Sequence, residues 1–222
     1  VYPRNFQQVF ELTKSDTEEA AKIKLDDYFK QCEAFFQNFE QKFHVDLATK
    51  IETTLTKLSG HRSVSVPRGA TGNGKYAFVT FRCLNPNVGE MGYHTGNLFR
   101  DMYAKFYEDL NRLLDTENQL SFFILLQKPD EGGELSLYDI EWEKGQTKYE
   151  DRYVLNTDGS KLDIDGFTRK IMRVNPSVGD MILFNGAHIW HRVEFVKGKK
   201  NRLTIGGFLG FTYDDKHVMY WS

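Results

Sequence analysis

The sequence predicts an α+β fold, in which N-terminal helices flank a barrel of many short strands, a double-stranded β-helix of the jelly-roll or cupin-like kind. Three observations predict it. Between about residues 15 and 60 apolar residues recur at steps of three and four, the spacing of one helix face. After Gly60 the period shortens, and brief apolar or alternating runs are separated by Gly, Pro, Asn and Asp. The 222 residues suffice for one domain with a sizeable core. A single domain, 1–222, is therefore expected, with its helical layer at about 15–60 and its barrel at about 62–222.

The elements follow in order. Residues 1–14 carry Phe6, Val9 and Phe10 without a clear period. Ser15 with Glu18 three residues later has the form of a capping box and predicts a helix start. The positions Ala21, Ile23, Leu25, Tyr28, Phe29, Cys32, Phe35, Phe36 and Phe39 carry that helix to about Phe43, and a second helix spans Leu47–Leu58, stopped by Ser59-Gly60. Val64 and Val66 alternate with serines, a strand signal. The glycines of Pro67–Lys75 are too scattered for a phosphate loop. Tyr76–Leu84 reads as one strand, Asn85-Pro86-Asn87 as its turn, and Leu98–Leu114 as one helix placed to wall or cover a site. Further strands are expected at Leu120–Leu126, Glu134–Ile140, Arg169–Val174, Met181–Phe184, Ile189–Val196, Leu203–Thr212 and His217–Trp221. The charged stretch 143–166 reads as a long surface loop, and the Lys-rich link around Gly198 and Asn201 as a hairpin between neighbouring strands.

Apolar residues make up 40% and charged residues 27%, and the formal charge is −2, which gives no electrostatic case for nucleic acid or a membrane surface. No apolar run approaches the length that spans a bilayer. Cys32 and Cys83 cannot build a disulfide scaffold and read as two buried thiols in a reducing cytosol, so a cytoplasmic location is expected.

The informative residues are histidines that come with company. His94 stands in Tyr93-His94-Thr95-Gly96-Asn97, at the end of a strand and before a helix. His191 stands in Trp190-His191-Arg192-Val193, and Arg202 with Thr204 follows on the next strand. Non-heme Fe(II) oxygenases hold iron with two histidines and a carboxylate on one face. Their usual pattern is His-x-Asp or His-x-Glu, a long gap, a second His, then an Arg. This chain has each part except the carboxylate, whose position is Gly96. His188, an odd step from His191 along a strand, would face away from it. His44, His61 and His217 have no such company. An Arg buried inside the barrel requires an anion. A dicarboxylate that chelates iron at one end and pairs with Arg202 at the other would supply it, with the Thr204 hydroxyl beside it. A protein carboxylate is the competing partner for that Arg.

With these residues the sequence resembles the Fe(II)/2-oxoglutarate-dependent oxygenases. More narrowly, it resembles the free-standing aliphatic halogenases of hapalindole- and welwitindolinone-type alkaloids. The likeness rests on blocks at Arg82, His94-Thr95-Gly96-Asn97, Gln119-Leu120-Ser121, Gly132-Gly133-Glu134-Leu135, Glu141-Trp142, Gly179-Asp180-Met181 and Leu183-Phe184-Asn185-Gly186. It continues through His191-Arg192-Val193, Thr204-Ile205-Gly206-Gly207-Phe208-Leu209 and Tyr220-Trp221-Ser222.

The resemblance implies that His94 and His191 bind iron and that halide, chloride or bromide, takes the position left by Gly96 in a void about one carboxymethyl group in size. It further implies that Arg202 and Thr204 bind 2-oxoglutarate, that Asn97 and Arg82 contact co-substrate or halide, and that Ser121 orients the reactive oxygen. The implied reaction consumes O2 and 2-oxoglutarate, removes hydrogen from an unactivated aliphatic C–H bond, and returns chlorine to the substrate radical. The implied substrate is a free small molecule of the natural-product type, with no carrier protein, and a monomer is expected. Glu134 could stand in as a third ligand from its barrel strand, though the resemblance places that ligand elsewhere. The competing readings are a hydroxylase, which chloride dependence separates, and a barrel that binds a ligand without turnover.

Overall fold

A computed structural model describes residues 9, 16–69, 72, 74–148, 150, 152–168 and 170–222, apart from the side chains of Glu18 and Lys105. Its elements run in the order α1 (Glu18–Phe43), α2 (Leu47–Leu58), β1 (Ser63–Ser65), β2 (Thr80–Leu84), β3 (Met91–His94), α3 (Gly96–Met102) and α4 (Ala104–Leu113). They continue with β4 (Leu120–Gln127), β5 (Glu131–Gly132), β6 (Leu135–Glu141), β7 (Thr147–Lys148), β8 (Tyr153–Leu155), β9 (Lys161–Asp163) and α5 (Ile164–Phe167). The last are β10 (Ile171–Val174), β11 (Met181–Phe184), β12 (Ile189–Val193), β13 (Val196–Lys197), β14 (Arg202–Phe211) and β15 (His217–Trp221). No described helix is long and apolar enough to cross a membrane. The chain divides into two compact units, one of Val1–Phe81, Tyr103–Thr116 and Gly206–Ser222, the other of Arg82–Met102 and Glu117–Ile205.

The first unit packs helices on strands. Ser15 and the clusters at Phe6 and Phe10 lie outside the described residues. The cap of α1 is Thr17, whose hydroxyl accepts from the Ala20 N–H at 3.3 Å, which displaces the expected capping box. Asp46 caps α2 through the Thr49 N–H at 2.9 Å. The apolar face of α1 buries Tyr28, Phe29 and Cys32, with the Phe29 ring 4.8 Å from Tyr76 and Phe36 4.0 Å from Phe78. The expected strand over 76–84 is shorter: the regular strand begins at Thr80, and Tyr76, Ala77, Phe78 and Val79 are buried ahead of it. Their backbone is satisfied irregularly, the Tyr76 N–H by Pro67 O and the Ala77 carbonyl by the Ser222 N–H. β1 runs parallel to β15, which pairs antiparallel with the second half of β14, Phe208 opposite Trp221. The Tyr220 hydroxyl closes on the Glu52 carboxylate at 3.0 Å.

The second unit is a stack of small sheets. One has the strand order β10-β6-β12-β3, with all three joins antiparallel, and β4 pairs antiparallel with β11. The charged stretch 143–166 is structured. β7, β8 and β9 form a three-stranded antiparallel meander; Val154 of β8 and Ile164 of α5 join Tyr93, Leu98, Tyr138, Trp142 and Trp190 in one core cluster, and Leu162 of β9 packs against it. These few apolar side chains anchor a polar run. Arg169, the expected start of β10, lies outside the described residues.

Three further expectations are corrected. The helix expected over 98–114 is two helices. α3 starts earlier, at Gly96, and the backbone leaves helical geometry at Tyr103 (φ −117°, ψ 35°). Met102 is exposed between buried Leu98 and Phe106, so the face is not continuous. The Gly198–Asn201 link is no hairpin. β12 lies in one sheet with β6 and β3, and β14 in another beside β4, so the link crosses between sheets. Asp130 holds it there, its carboxylate accepting from the Lys199 and Lys200 N–H groups at 2.7 and 3.2 Å. Cys83 is exposed, and only Cys32 is a buried thiol.

The Gly132-Gly133 turn before β6 depends on glycine. Both residues have positive φ, and a Cβ on Gly132 would lie 2.0 Å from the backbone oxygen of Phe195. Gly132→Ala is expected to cost roughly 3 kcal/mol or more, from strained φ and a backbone clash together, read as a lowered midpoint in urea unfolding.

Candidate metal centre

His94 closes β3 and His191 lies in β12. The strands are antiparallel neighbours and place the two residues directly opposite one another. Their rings stand 4.2 Å apart, centroid to centroid, at 57°. The pairing of β12 slips on both sides of His191, against β6 between Ile189 and His191, and against β3 between His191 and Val193. Such irregularities turn a side chain out of the simple alternation. The His191 ring meets Phe184 edge-on at 4.9 Å, and His94 leans on Phe99 at 5.3 Å.

Both imidazoles are held in one tautomer. His94 Nδ1 bonds to Gly92 O at 2.7 Å, and His191 Nδ1 to Ile189 O at 2.8 Å. A carbonyl only accepts, so Nδ1 donates and Nε2 keeps its lone pair. Burial, reinforced by the neighbouring His191, holds His94 well below the ordinary imidazole range, and burial brings His191 down to about 4. Two neutral nitrogen donors therefore stand together at neutral pH. Among the described residues no third His, Cys, Asp or Glu completes a metal-holding group. Glu134 does not join the histidines, and His188 instead contacts Asn118 Oδ1 at 3.2 Å.

The His94-Thr95-Gly96 turn is fixed by the start of α3. Thr95 Oγ1 caps the helix through the Leu98 N–H at 3.1 Å. The Gly96 and Asn97 N–H groups, which a helix start leaves without internal acceptors, donate to Gly186 O at 2.7 Å and Ala187 O at 3.2 Å. The void expected beside Gly96 is not empty. A Cβ there would lie 2.8 Å from Gln119 Nε2, 3.2 Å from Ala187 Cα and 3.3 Å from Gly186 O. A carboxylate-bearing side chain could enter only if Gln119 withdrew.

Arg202 and Thr204, two apart on β14, are both buried. Among the described residues no hydrogen bond or ion pair joins Arg202 to a carboxylate; its guanidinium lies over the Phe123 ring at 5.1 Å. Burial, and then the charge of Arg82, lowers Arg202 to about 10, against an opposing pull from Glu134. Arg82 is half-buried on β2, and its charge also depresses both histidines. The surroundings of the histidine pair thus carry a surplus of positive charge.

Ser121 is buried on β4, opposite Phe184 of β11, and its side chain lies where a Cβ on Gly186 would fall. Asn97 is fully buried, but its side-chain N–H bonds to Glu117 O at 3.1 Å, and its Oδ1 has no hydrogen-bond partner. The structure thus gathers His94, Gly96, Asn97, His191 and Ser121 around the 184–187 segment, with Arg82 near the histidines and Arg202. In the sequence Gln119 figured only within the Gln119-Leu120-Ser121 block, with no role of its own. The available signal was its place two residues before Ser121, on the same face of an extended run.

Over residues 18–222 the sequence matches the family described as carrier-protein-independent halogenase WelO5. The chain belongs to that family. No curated protein matches it in sequence. Among solved structures it is similar to an N-substituted L-amino acid dioxygenase from Burkholderia ambifaria AMMD, with a TM-score of 0.59 at 16% identity over 97% of this chain and 76% of that one. The same dioxygenase in complex with alpha-KG gives a TM-score of 0.55 at 15% identity, over the same shares of the two chains. At these identities the likeness is one of fold.

The geometry makes a direct prediction. His94→Ala and His191→Ala are each expected to abolish Fe(II) binding in an anaerobic titration while leaving the far-ultraviolet circular dichroism unchanged. Retained stoichiometric binding in either variant would remove that histidine from the metal centre.

Proposed function

We propose that the chain is a non-heme iron, 2-oxoglutarate- and O2-dependent halogenase on a double-stranded β-helix, chlorinating an unactivated aliphatic C–H bond of a free small molecule. The observation that carries this reading is the pair of neutral, tautomer-fixed histidines facing a glycine where a third protein ligand would begin. This donor set fits ferrous iron with an exchangeable anion in place of a carboxylate. Iron, once bound, supplies oxygen activation and hydrogen abstraction, with halide as the group delivered to carbon.

The chain's own residues do the rest. His94 and His191 present their Nε2 lone pairs. Gly96 offers no competing carboxylate, and an ion held by the metal needs no Cα–Cβ stem. The buried, carboxylate-free Arg202 pairs with the distal carboxylate of 2-oxoglutarate, and the Thr204 hydroxyl lies on the same face. Arg82 adds positive charge that favours anionic co-substrates, and Asn97 holds the Gly96 turn in place. Ser121, packed against Gly186, has the hydroxyl that orients the reacting groups. Membership of a carrier-protein-independent family supports a free substrate.

Anaerobic crystals grown with Fe(II), 2-oxoglutarate and bromide test the reading. A bromine anomalous peak on iron beside Gly96 is expected, and its loss in Gly96→Asp. An oxygen atom as the third ligand at saturating bromide would instead favour a hydroxylase. Arg202→Gln is expected to weaken 2-oxoglutarate binding by roughly a hundredfold, since a buried charge pair is lost; isothermal titration of the anaerobic iron complex measures it.

A further inference from the structure

We infer that Gln119 is the halide-binding and specificity-determining side chain of this site. Its amide donates a hydrogen bond to the anion and blocks the place from which a carboxylate ligand would reach the metal. The inference rests on the halogenase reading above and adds a residue to it.

Three observations carry it. First, Gln119 is fully buried just ahead of β4, and its Nε2 lies nearest, at 2.8 Å, to the point where a Gly96 side chain would begin. Second, the other two atoms around that point are not available donors. One is the Cα of Ala187, and the other is the Gly186 carbonyl, which already accepts the Gly96 N–H at 2.7 Å. The Gln119 amide is therefore the hydrogen-bond donor among the three nearest atoms. An anion leaving water for a buried site needs such a donor in addition to the metal's charge. Third, the backbone on the other side of that point is fixed. Gly186 and Ala187 are tied to the start of α3, and Ser121, two residues along, packs on Gly186.

The same contact explains why glycine alone does not define the site. An Asp at 96 would drive its Cβ into the Gln119 amide, and Ala187 and Gly186 would crowd it from the backbone side. Room for a carboxylate ligand opens when Gln119 withdraws, and more fully when it is shortened. Halide preference is thus written in two positions that must change together.

The test uses the full-length protein as the anaerobic Fe(II)·2-oxoglutarate complex, whose visible metal-to-ligand charge-transfer band is followed during chloride titration. For the wild type a saturable shift is expected. For Gln119→Leu, which removes the donor, the chloride dissociation constant is expected to rise about tenfold or more, with iron and 2-oxoglutarate affinities unchanged. Gln119→Glu, which sets a carboxylate against the anion, is expected to abolish the response. Asn at this position is expected to recover part of it. Chloride titrations of the Leu and Glu variants that superpose on the wild type would overturn the role of Gln119 and leave the halogenase reading standing. A wild-type complex that binds iron and 2-oxoglutarate yet shows no response to chloride would overturn that reading, and this inference with it. A measurement independent of folding is the wild-type bromide crystal, where the Gln119 amide nitrogen is expected within hydrogen-bond distance of bromine; an amide turned away from the anion overturns the inference. Finally, Gly96→Asp with Gln119→Ala is expected to bind iron without any chloride response, and more tightly than Gly96→Asp alone. Equal iron affinities in the two would overturn the steric half.

Discussion

The antiparallel seam between β3 and β12 is the constraint on which the rest of the centre depends. It places His94 opposite His191, brings their rings to 4.2 Å, and leaves each Nδ1 within reach of a carbonyl two residues back along its own strand. Nothing else in the chain has to choose the tautomer, because the strands choose it. Burial then keeps both rings uncharged, which removes the repulsion that two imidazolium groups at this separation would suffer.

Around that seam the site is built by satisfying backbone groups that would otherwise be stranded. The first amides of α3 find their acceptors in the 186–187 segment, which ties the glycine turn to the loop ahead of β12. Ser121 and Gln119 approach the same segment from β4, and the absence of side chains at Gly186 and Gly96 permits that approach. Charge follows the same logic. Arg202 is buried over an aromatic ring with no carboxylate bonded to it among the described residues, and Arg82 adds to the positive field. Buried positive charge left in that state is complementary to anions.

Much of this was legible in the sequence because its signals are local. The pattern around His94, Gly96 and His191 singled out residues that the fold brings together, and amphipathic periodicity placed α1 and α2 to within a few residues. What escaped depends on contacts distant in sequence. The slips in pairing on either side of His191 leave no local trace, because they arise from β6 and β3 together. The meander of β7–β9 is anchored through Val154, Leu162 and the adjoining Ile164, apolar residues within a polar stretch, and composition averaged them away. The crossover before Arg202 resembled a hairpin because Gly and Asn mark any reversal, whereas the carboxylate that fixes it, on Asp130, comes from far upstream. Gln119 is the clearest case. An amide in a hydrophobic block has no spacing rule, and only the position of a missing Cβ shows what it faces.

The sheet order β10-β6-β12-β3 makes β3 an edge whose neighbour in that sheet is β12. His191 follows His94 by 97 residues, 191 minus 94. On a ribosome, β3 therefore emerges and waits without a partner while nearly half of the chain is still to be made. Closing so long a loop is slow and entropically costly, so this seam belongs to the late stages of assembly. A nascent or truncated chain that stops short of β12 would expose a bare strand edge and only one of the two imidazoles. A metal ion that needs both imidazoles would find no such pair on a half-made polypeptide until β12 has joined the sheet.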